Sequence, residues 1–420
     1  MKKKAVRIGA LVLVGALIIW CASRWEVWFH NPEEDPYTAS KVPTRVLLTF
    51  GDEDGMRSRN VSWMCGDEVQ EAYVELEYKG QRTTDDEQQT ACHGIRISAV
   101  GEVFESRSGK AAYYVARLRD LEAGHTYRYR VCTGEKKSEW YEFRLAHQDE
   151  HETAFIYMGD IQDSIGGIAN QLLKEAFRQN PDAEFFVCGG DLTERPTDAY
   201  WGETFESLDS IGQAVPVLTV TGNHDYLKGV IGTLERRFSL IHSFYLDSMV
   251  GENQVFTVRY KDMQLFCLDS NREFFYLWTQ RQWLEEQLTK SEAKWKIVVL
   301  HHPLYSVKGA MNNLIQRWMF DDLIQEYGVN LVLQGHEHAY ARKGANGQQS
   351  TDNSQQSTIY LISHCSPKGY RINPPEGRFE KIEKDIRTYQ KVRISGDTLV
   401  VTAFDAEKGT LVDSIGKVKG

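Results

Sequence analysis

Apolar runs and helical repeats alternate through the second half of the chain. TAFIYM before Gly159, EFFVC before Gly189, PVLTVT before Gly222, WKIVVL before His301 and VNLVLQ before Gly335 are short and rich in β-branched and aromatic residues, the pattern of buried strands. Between them, IANQLLKEAF from Ile168, QWLEEQL from Gln282 and LIQRWMFDDLI from Leu314 repeat apolar residues at helical spacing. Such alternation predicts an α/β fold with a largely parallel sheet, whose ligands bind beyond the carboxyl ends of the strands. The first part of the chain differs. VLLTFG, NVSWMC, AYVELEY, GIRISAV, AYYVARL, TYRYRVC and WYEFRLA are short alternating strands at the spacing of an all-β sandwich.

A polar block follows each apolar run of the second half: GDIQD from Gly159, GGD from Gly189, GNHD from Gly222, HHP from His301 and GHEHAY from Gly335. Glycines let the backbone turn sharply there, so side chains from distant strands can meet. The blocks gather Asp160, Asp191, Asn223, His301, His336 and His338, hard oxygen and imidazole donors suited to two metal ions side by side. A lone Gly-Asp after a strand is ordinarily a turn, so the ordered series carries the signal. His224, His301, His302, His336 and His338 fall inside the blocks. His30, His93, His125, His147, His151, His242 and His364 are scattered and read as surface or hydrogen-bonded histidines.

The series GD, GD, GNHD, HHP, GHEHAYAR resembles the calcineurin-like metallophosphoesterase superfamily over roughly residues 150 to 420, and GHEHAYAR is similar to the purple acid phosphatases. The resemblance implies a four-layer α/β/β/α metallophosphoesterase sandwich. It places Asp160, Asp191 and His338 on a first metal and Asp191, Asn223, His301 and His336 on a second, with Asp191 bridging. His224 would be the catalytic histidine beside the site, and His302 stands where it would touch substrate. Two positions depart from pattern. Gln162 occupies a place where many relatives carry His, and Glu194 the place of the metal-binding Tyr of the purple enzymes. Gln162 is thus a candidate carbonyl ligand, and Glu194 either coordinates the first metal or pairs with Arg195. The missing phenolate removes the expectation of a coloured Fe(III) site and leaves the metals as Fe, Zn, Mn or another divalent ion.

Two divalent ions bring four positive charges, of which Asp160 and Asp191 cancel two, so the cleft attracts phosphate although the chain carries a net −10. A water on such a metal loses its proton near pH ~7 and becomes the nucleophile. The expected activity is metal-dependent hydrolysis of phosphate monoesters, with a small phosphate ester as substrate. The alternatives are a phosphodiesterase acting on cyclic nucleotides or lipid head groups through the same site, and a metal-free surface-binding protein.

LEAGHTYRYRV from Leu121 resembles a fibronectin type III corner, in which Tyr127 bonds back to the upstream backbone. The sandwich is expected as a packed spacer before the catalytic domain. An apolar run from Ile8 to Ala22 follows Lys2, Lys3, Lys4 and Arg7, as in a signal peptide or signal anchor, which implies an extracytoplasmic protein (periplasmic, cell-envelope or secreted) and, if the run is retained, membrane anchoring. The expected division is 1–24 signal segment, 25–42 linker, 43–148 fibronectin III-like sandwich and 149–420 catalytic domain. An acidic balance excludes a nucleic-acid surface. Cys188 and Cys267 read as buried strand residues, and Cys65, Cys92 and Cys132 as containing at most one disulfide.

Overall fold

The computed structural model describes residues 2–31, 33–79, 94–147, 149–229, 232–244, 254–344 and 358–419. Substrate choice is expected to lie in the loops Thr233 to Glu252 and Gly344 to Gln356; Cys92 and, of those loops, residues 245–252 and 345–356 lie outside these residues. Cys65 and Cys132 are both free thiols.

The sandwich strands form one curled, eight-stranded antiparallel sheet. Ile95–Glu105 makes the fold-over. Its first residues pair with Ala72–Lys79 and its remainder with Lys110–Leu118, so the two halves of the sheet face each other. Trp63, Leu76, Tyr114, Tyr129, Val131 and Phe143 fill the space between them. At the expected corner, the Tyr127 hydroxyl accepts the backbone N–H of Glu122 at 2.8 Å.

Among the described residues the catalytic part holds two large sheets, beside a two-stranded ribbon, rather than the single largely parallel sheet that alternation alone predicts. Val217–Thr219, Phe186–Cys188 and Glu152–Met158 run parallel, and three antiparallel strands, Thr388–Ser395, Thr398–Asp405 and Leu411–Val418, complete the first sheet. The second centres on Met263–Cys267, Trp295–Val299, Leu331–Gln334 and Ile359–Ile362, all parallel. Because strand side chains alternate, each run serves two layers. Phe155, Tyr157 and Val187 meet Leu265, Val299 and Leu333 of the other sheet. Ile156, Met158 and Phe186 point outward, beneath the helices Ala169–Gln179 and Asp198–Ser207. Phe266, Val298 and Val332 do the same beneath Phe274–Lys290 and Leu314–Glu326. The order is helix, sheet, sheet, helix, the mixed α/β sandwich expected.

Residues Lys2–Phe29 form one helix. No helix among the described residues is long and apolar enough to cross a membrane, so the fold gives the anchor reading no support.

Tyr127 is buried, and replacing it with Phe leaves the Glu122 N–H without its partner. Tyr127→Phe is expected to cost about 1 kcal/mol, seen as a lower urea midpoint at unchanged slope, with metal content untouched.

Candidate metal centre

The strand ends of the two sheets are laced together by backbone bonds. Gly335 N–H donates to His301 O at 3.0 Å, Gln162 N–H to Asp191 O at 3.1 Å and Cys365 N–H to Gly159 O at 2.9 Å. Such close approach leaves no room for side chains at some positions. A Cβ on Gly222 would overlap the Asp191 carboxylate, and one on Gly335 would overlap that of Asp160. Four residues of the blocks also hold left-handed backbone: Asp160 (φ 38°), Asp191 (φ 53°), His336 (φ 70°) and His338 (φ 42°). Non-glycine residues adopt this region at a cost, and it persists where surrounding structure enforces it, commonly at functional sites.

Asp160, Asp191 and His301 are buried, with ligand atoms all within 4.8 Å of one another. His301 donates Nδ1–H to Gly189 O at 2.8 Å, which turns Nε2 toward Asp191 Oδ2 at 3.4 Å, Asn223 Oδ1 at 3.2 Å and His336 Nδ1 at 3.3 Å. His336 Nδ1 also lies 2.9 Å from Asn223 Oδ1. On the other side, His338 donates Nδ1–H to Lys368 O at 2.8 Å and turns Nε2 toward Asp160 Oδ2 at 2.9 Å. A histidine whose second ring nitrogen is tied to a carbonyl is the usual form of a metal-ligating histidine. Gln162 is fully buried, its Nε2 is 3.4 Å from His338 Nε2, and its Oε1 has no partner. These donors fit divalent metal: hard oxygens, neutral imidazole lone pairs and an orphaned buried amide oxygen converge on one place.

Electrostatics agree. Burial opposes charge on His301, but Asp191 and Asp160 outweigh it and push the imidazole up to about 9. Burial likewise opposes ionisation of Asp191, yet His301 and His224 hold it below the usual carboxylate range. The pair draws positive charge into the centre, and the proton on His301 stands in for a cation. Burial, then His301, bring His302 down to about 3, so it is neutral.

His224 lies just outside the cluster. Its N–H donates to Asp191 Oδ1 at 2.8 Å and its Nδ1–H to Glu194 O at 2.6 Å, which leaves Nε2 as the ring's free nitrogen. His302 Nδ1 bonds Ser270 Oγ at 3.0 Å, and its ring centre lies 4.3 Å from that of His336. Glu194 pairs with Lys368 at 2.6 Å and not with Arg195, so the expected pairing is corrected: Lys368 arrives from a distant loop and offers an ammonium beside the carboxylate.

Other residues at the site went unassigned. His364, placed with the scattered histidines, is buried and stacks on His338 at 5.3 Å. A signal was present, since HCSPKGY follows the strand Ile359–Ile362 as the other blocks follow theirs. Asp225 accepts Gly222 N–H at 2.7 Å and pins the GNHD turn. A cleft of about 690 Å³ opens beside the cluster, lined by Glu194, Pro196, Asn223, His224, Tyr226 and others.

Comparison with known proteins points the same way. The family model for calcineurin-like phosphoesterases matches residues 153–340, and that for the purple acid phosphatase N-terminal domain matches residues 43–145. A phosphoenolpyruvate phosphatase of Allium cepa is 25% identical over 323 residues, 71% of this chain and 63% of its own length, so this chain spans less than two thirds of that relative. A probable purple acid phosphatase of Arabidopsis thaliana is 23% identical over 353 residues, 80% of this chain and 77% of its own. The structure of a purple acid phosphatase from yellow lupin (Lupinus luteus) seeds superposes with a TM-score of 0.74 at 16% identity, covering 90% of this chain and 74% of that one. At that identity the likeness is one of fold.

The elevated His301 value has a direct consequence. A cation taking Nε2 must displace a proton, so metal affinity should fall about tenfold per pH unit below about 9. Chelator competition across neutral pH checks this, and a pH-independent affinity would contradict it. In metal-free protein the folded value exceeds the ordinary 6.5. The pair's stabilisation is therefore complete below that pH and is lost as pH rises through about 9.

Proposed function

This chain belongs to the calcineurin-like metallophosphoesterase and purple acid phosphatase superfamily, and on that footing we propose that it hydrolyses phosphate monoesters at a centre of two metal ions. It is a metal-dependent phosphatase-type enzyme. The observation carrying the binuclear reading is the division of donors into two groups: Asp160 with His338, and His301 with Asn223 and His336. Asp191 lies within 4.8 Å of ligand atoms in both. In this reading Asp160, Asp191 and His338 hold one ion, with Gln162 Oε1 as a further donor, and Asp191, Asn223, His301 and His336 hold the other. Glu194 is spoken for by Lys368 and ranks below Gln162. Ions held there supply Lewis acidity for a phosphoryl oxygen and lower the pKa of water.

The chain's own groups do the rest. Asp191 Oδ1 fixes the backbone of His224, and Glu194 O fixes its ring. With a second proton on the ring, Nε2 then serves as donor to the phosphoryl oxygens and to the leaving oxygen. Neutral His302, held by Ser270, completes the wall on the His336 side. The basic and then apolar N-terminal run supports an extracytoplasmic site of action.

Hydrolysis of a panel of phosphate mono- and diesters by metal-reconstituted protein tests the activity, and faster turnover of diesters would favour the diesterase alternative. Metal analysis should give about two ions per chain. His224→Ala should keep metal content while turnover falls about 100- to 10,000-fold. Asn223→Ala should instead lose occupancy and be partly rescued by added metal. Equal metal loss in both variants would mean that His224 is a ligand.

A further inference from the structure

The cleft beside the metal centre has a wall that the catalytic blocks do not supply. His30, Asn31 and Glu33, which precede the sandwich, line it together with Arg195, Tyr226 and Lys228. Asn31 is locked against the catalytic domain by a reciprocal pair: its Nδ2 donates to Lys228 O at 3.0 Å and its Oδ1 accepts Lys228 N–H at 2.7 Å. Glu34 is anchored more deeply. It meets Arg237 at 2.7 Å with both side chains 2% exposed, and accepts the Asp198 N–H at 2.8 Å. Arg237 also donates to Pro196 O at 3.1 Å, so the buried ion pair reaches the loop that bears Arg195. One polar stretch therefore holds both basic residues of the cleft, Lys228 through Asn31 and Arg195 through Glu34 and Arg237.

Neither Arg195 nor Lys228 has an ion-pair partner among the described residues, and both are exposed at the cleft. Glu194 is neutralised by Lys368, leaving Glu33 as the one carboxylate of the lining without an ion-pair partner among the described residues, beside two such cations. The cleft lies on the His224 side of the centre, where the reading above places the leaving oxygen. Its volume of about 690 Å³ exceeds what a phosphoryl group needs. We propose that this cleft is a leaving-group pocket, walled by the segment before the sandwich, in which Lys228 and Arg195 bind a second anionic group carried by the substrate's leaving group. The inference rests on the phosphomonoesterase reading for its chemistry. The second anion is a phosphate or a carboxylate, both of which present oxygens to ammonium and guanidinium.

The test compares substrates on the full, metal-loaded chain: fructose 1,6-bisphosphate (second phosphate), 3-phosphoglycerate (carboxylate) and glycerol 2-phosphate (neutral leaving group). Lys228→Ala and Arg195→Ala should each raise KM about tenfold for one or both of the anionic substrates, with kcat and the glycerol 2-phosphate kinetics within about twofold. Lys228→Arg should restore most of the loss. A rise in KM for the bisphosphate alone identifies a phosphate, and a rise for phosphoglycerate alone a carboxylate. Calorimetric titration with methylenediphosphonate gives a readout independent of turnover. Its affinity should fall about tenfold in the Ala variants, while inorganic phosphate binds as before. Equal effects on all three substrates, or none, overturn the proposal. Wild-type protein that hydrolyses nothing refutes the phosphatase reading instead, and the titration then still decides the pocket.

Discussion

Two carboxylates and an imidazole packed within 4.8 Å of one another and buried set the terms for everything around them. Two carboxyl groups so close together favour positive charge between them. Without metal, a proton on His301 supplies it. A cation supplies it better, because His336, His338 and Asn223 turn donor atoms the same way and the buried Gln162 Oε1 has no hydrogen-bond partner. The cluster is costly as a packing element and sensible as a metal centre.

Bringing those groups together dictates the architecture above them. Two sheets must place several strand ends at one point, and the ends approach so closely that Gly222 and Gly335 admit no Cβ. Left-handed backbone at Asp160, Asp191, His336 and His338 aims side chains back into the junction instead of along the departing loops. That strain is offset by the apolar layers behind it. Phe155, Tyr157, Val299 and Leu333 lie between the sheets, and helices seal both outer faces. The rigid interior lets mobile-looking sequence, such as Gly-Asn-His-Asp, hold fixed geometry.

Much of this was legible in the chain because strand and ligand signals are local. Apolar runs ending in Gly-Asp, Asn-His or His-x-His announce both the strand and the donor at its tip, and the residues they nominated stand together. What the alternation could not reveal was which strands share a sheet, since pairing is decided between residues far apart; the strands from Thr388 onward close the first sheet from the far end of the chain. The partner of Glu194 was hidden for the same reason, Lys368 being 174 residues away. His364 was passed over because a single histidine after a strand lacks the repetition that marks the other blocks. Gln162 and Glu194, where the pattern breaks, needed side-chain geometry before their roles could be separated.

The stretch before the sandwich shows the limit most plainly. Polar and proline-bearing, it reads as a linker, since nothing in its composition distinguishes a tether from a wall. Its contacts are specific nonetheless: the amide of Asn31 fits the backbone of Lys228, 197 residues on, and Glu34 closes a buried ion pair with Arg237. A buried pair of this kind contributes less to stability than to position, because desolvation consumes much of the Coulombic gain. What it fixes, with the Asn31 pair, is the place of this stretch against two loops of the catalytic domain, each carrying a cation without an ion-pair partner among the described residues. On the proposed reading, an acidic protein thereby keeps positive charge at the cleft beside its metal centre, where Lys228 and Arg195 are exposed and have no ion-pair partner among the described residues.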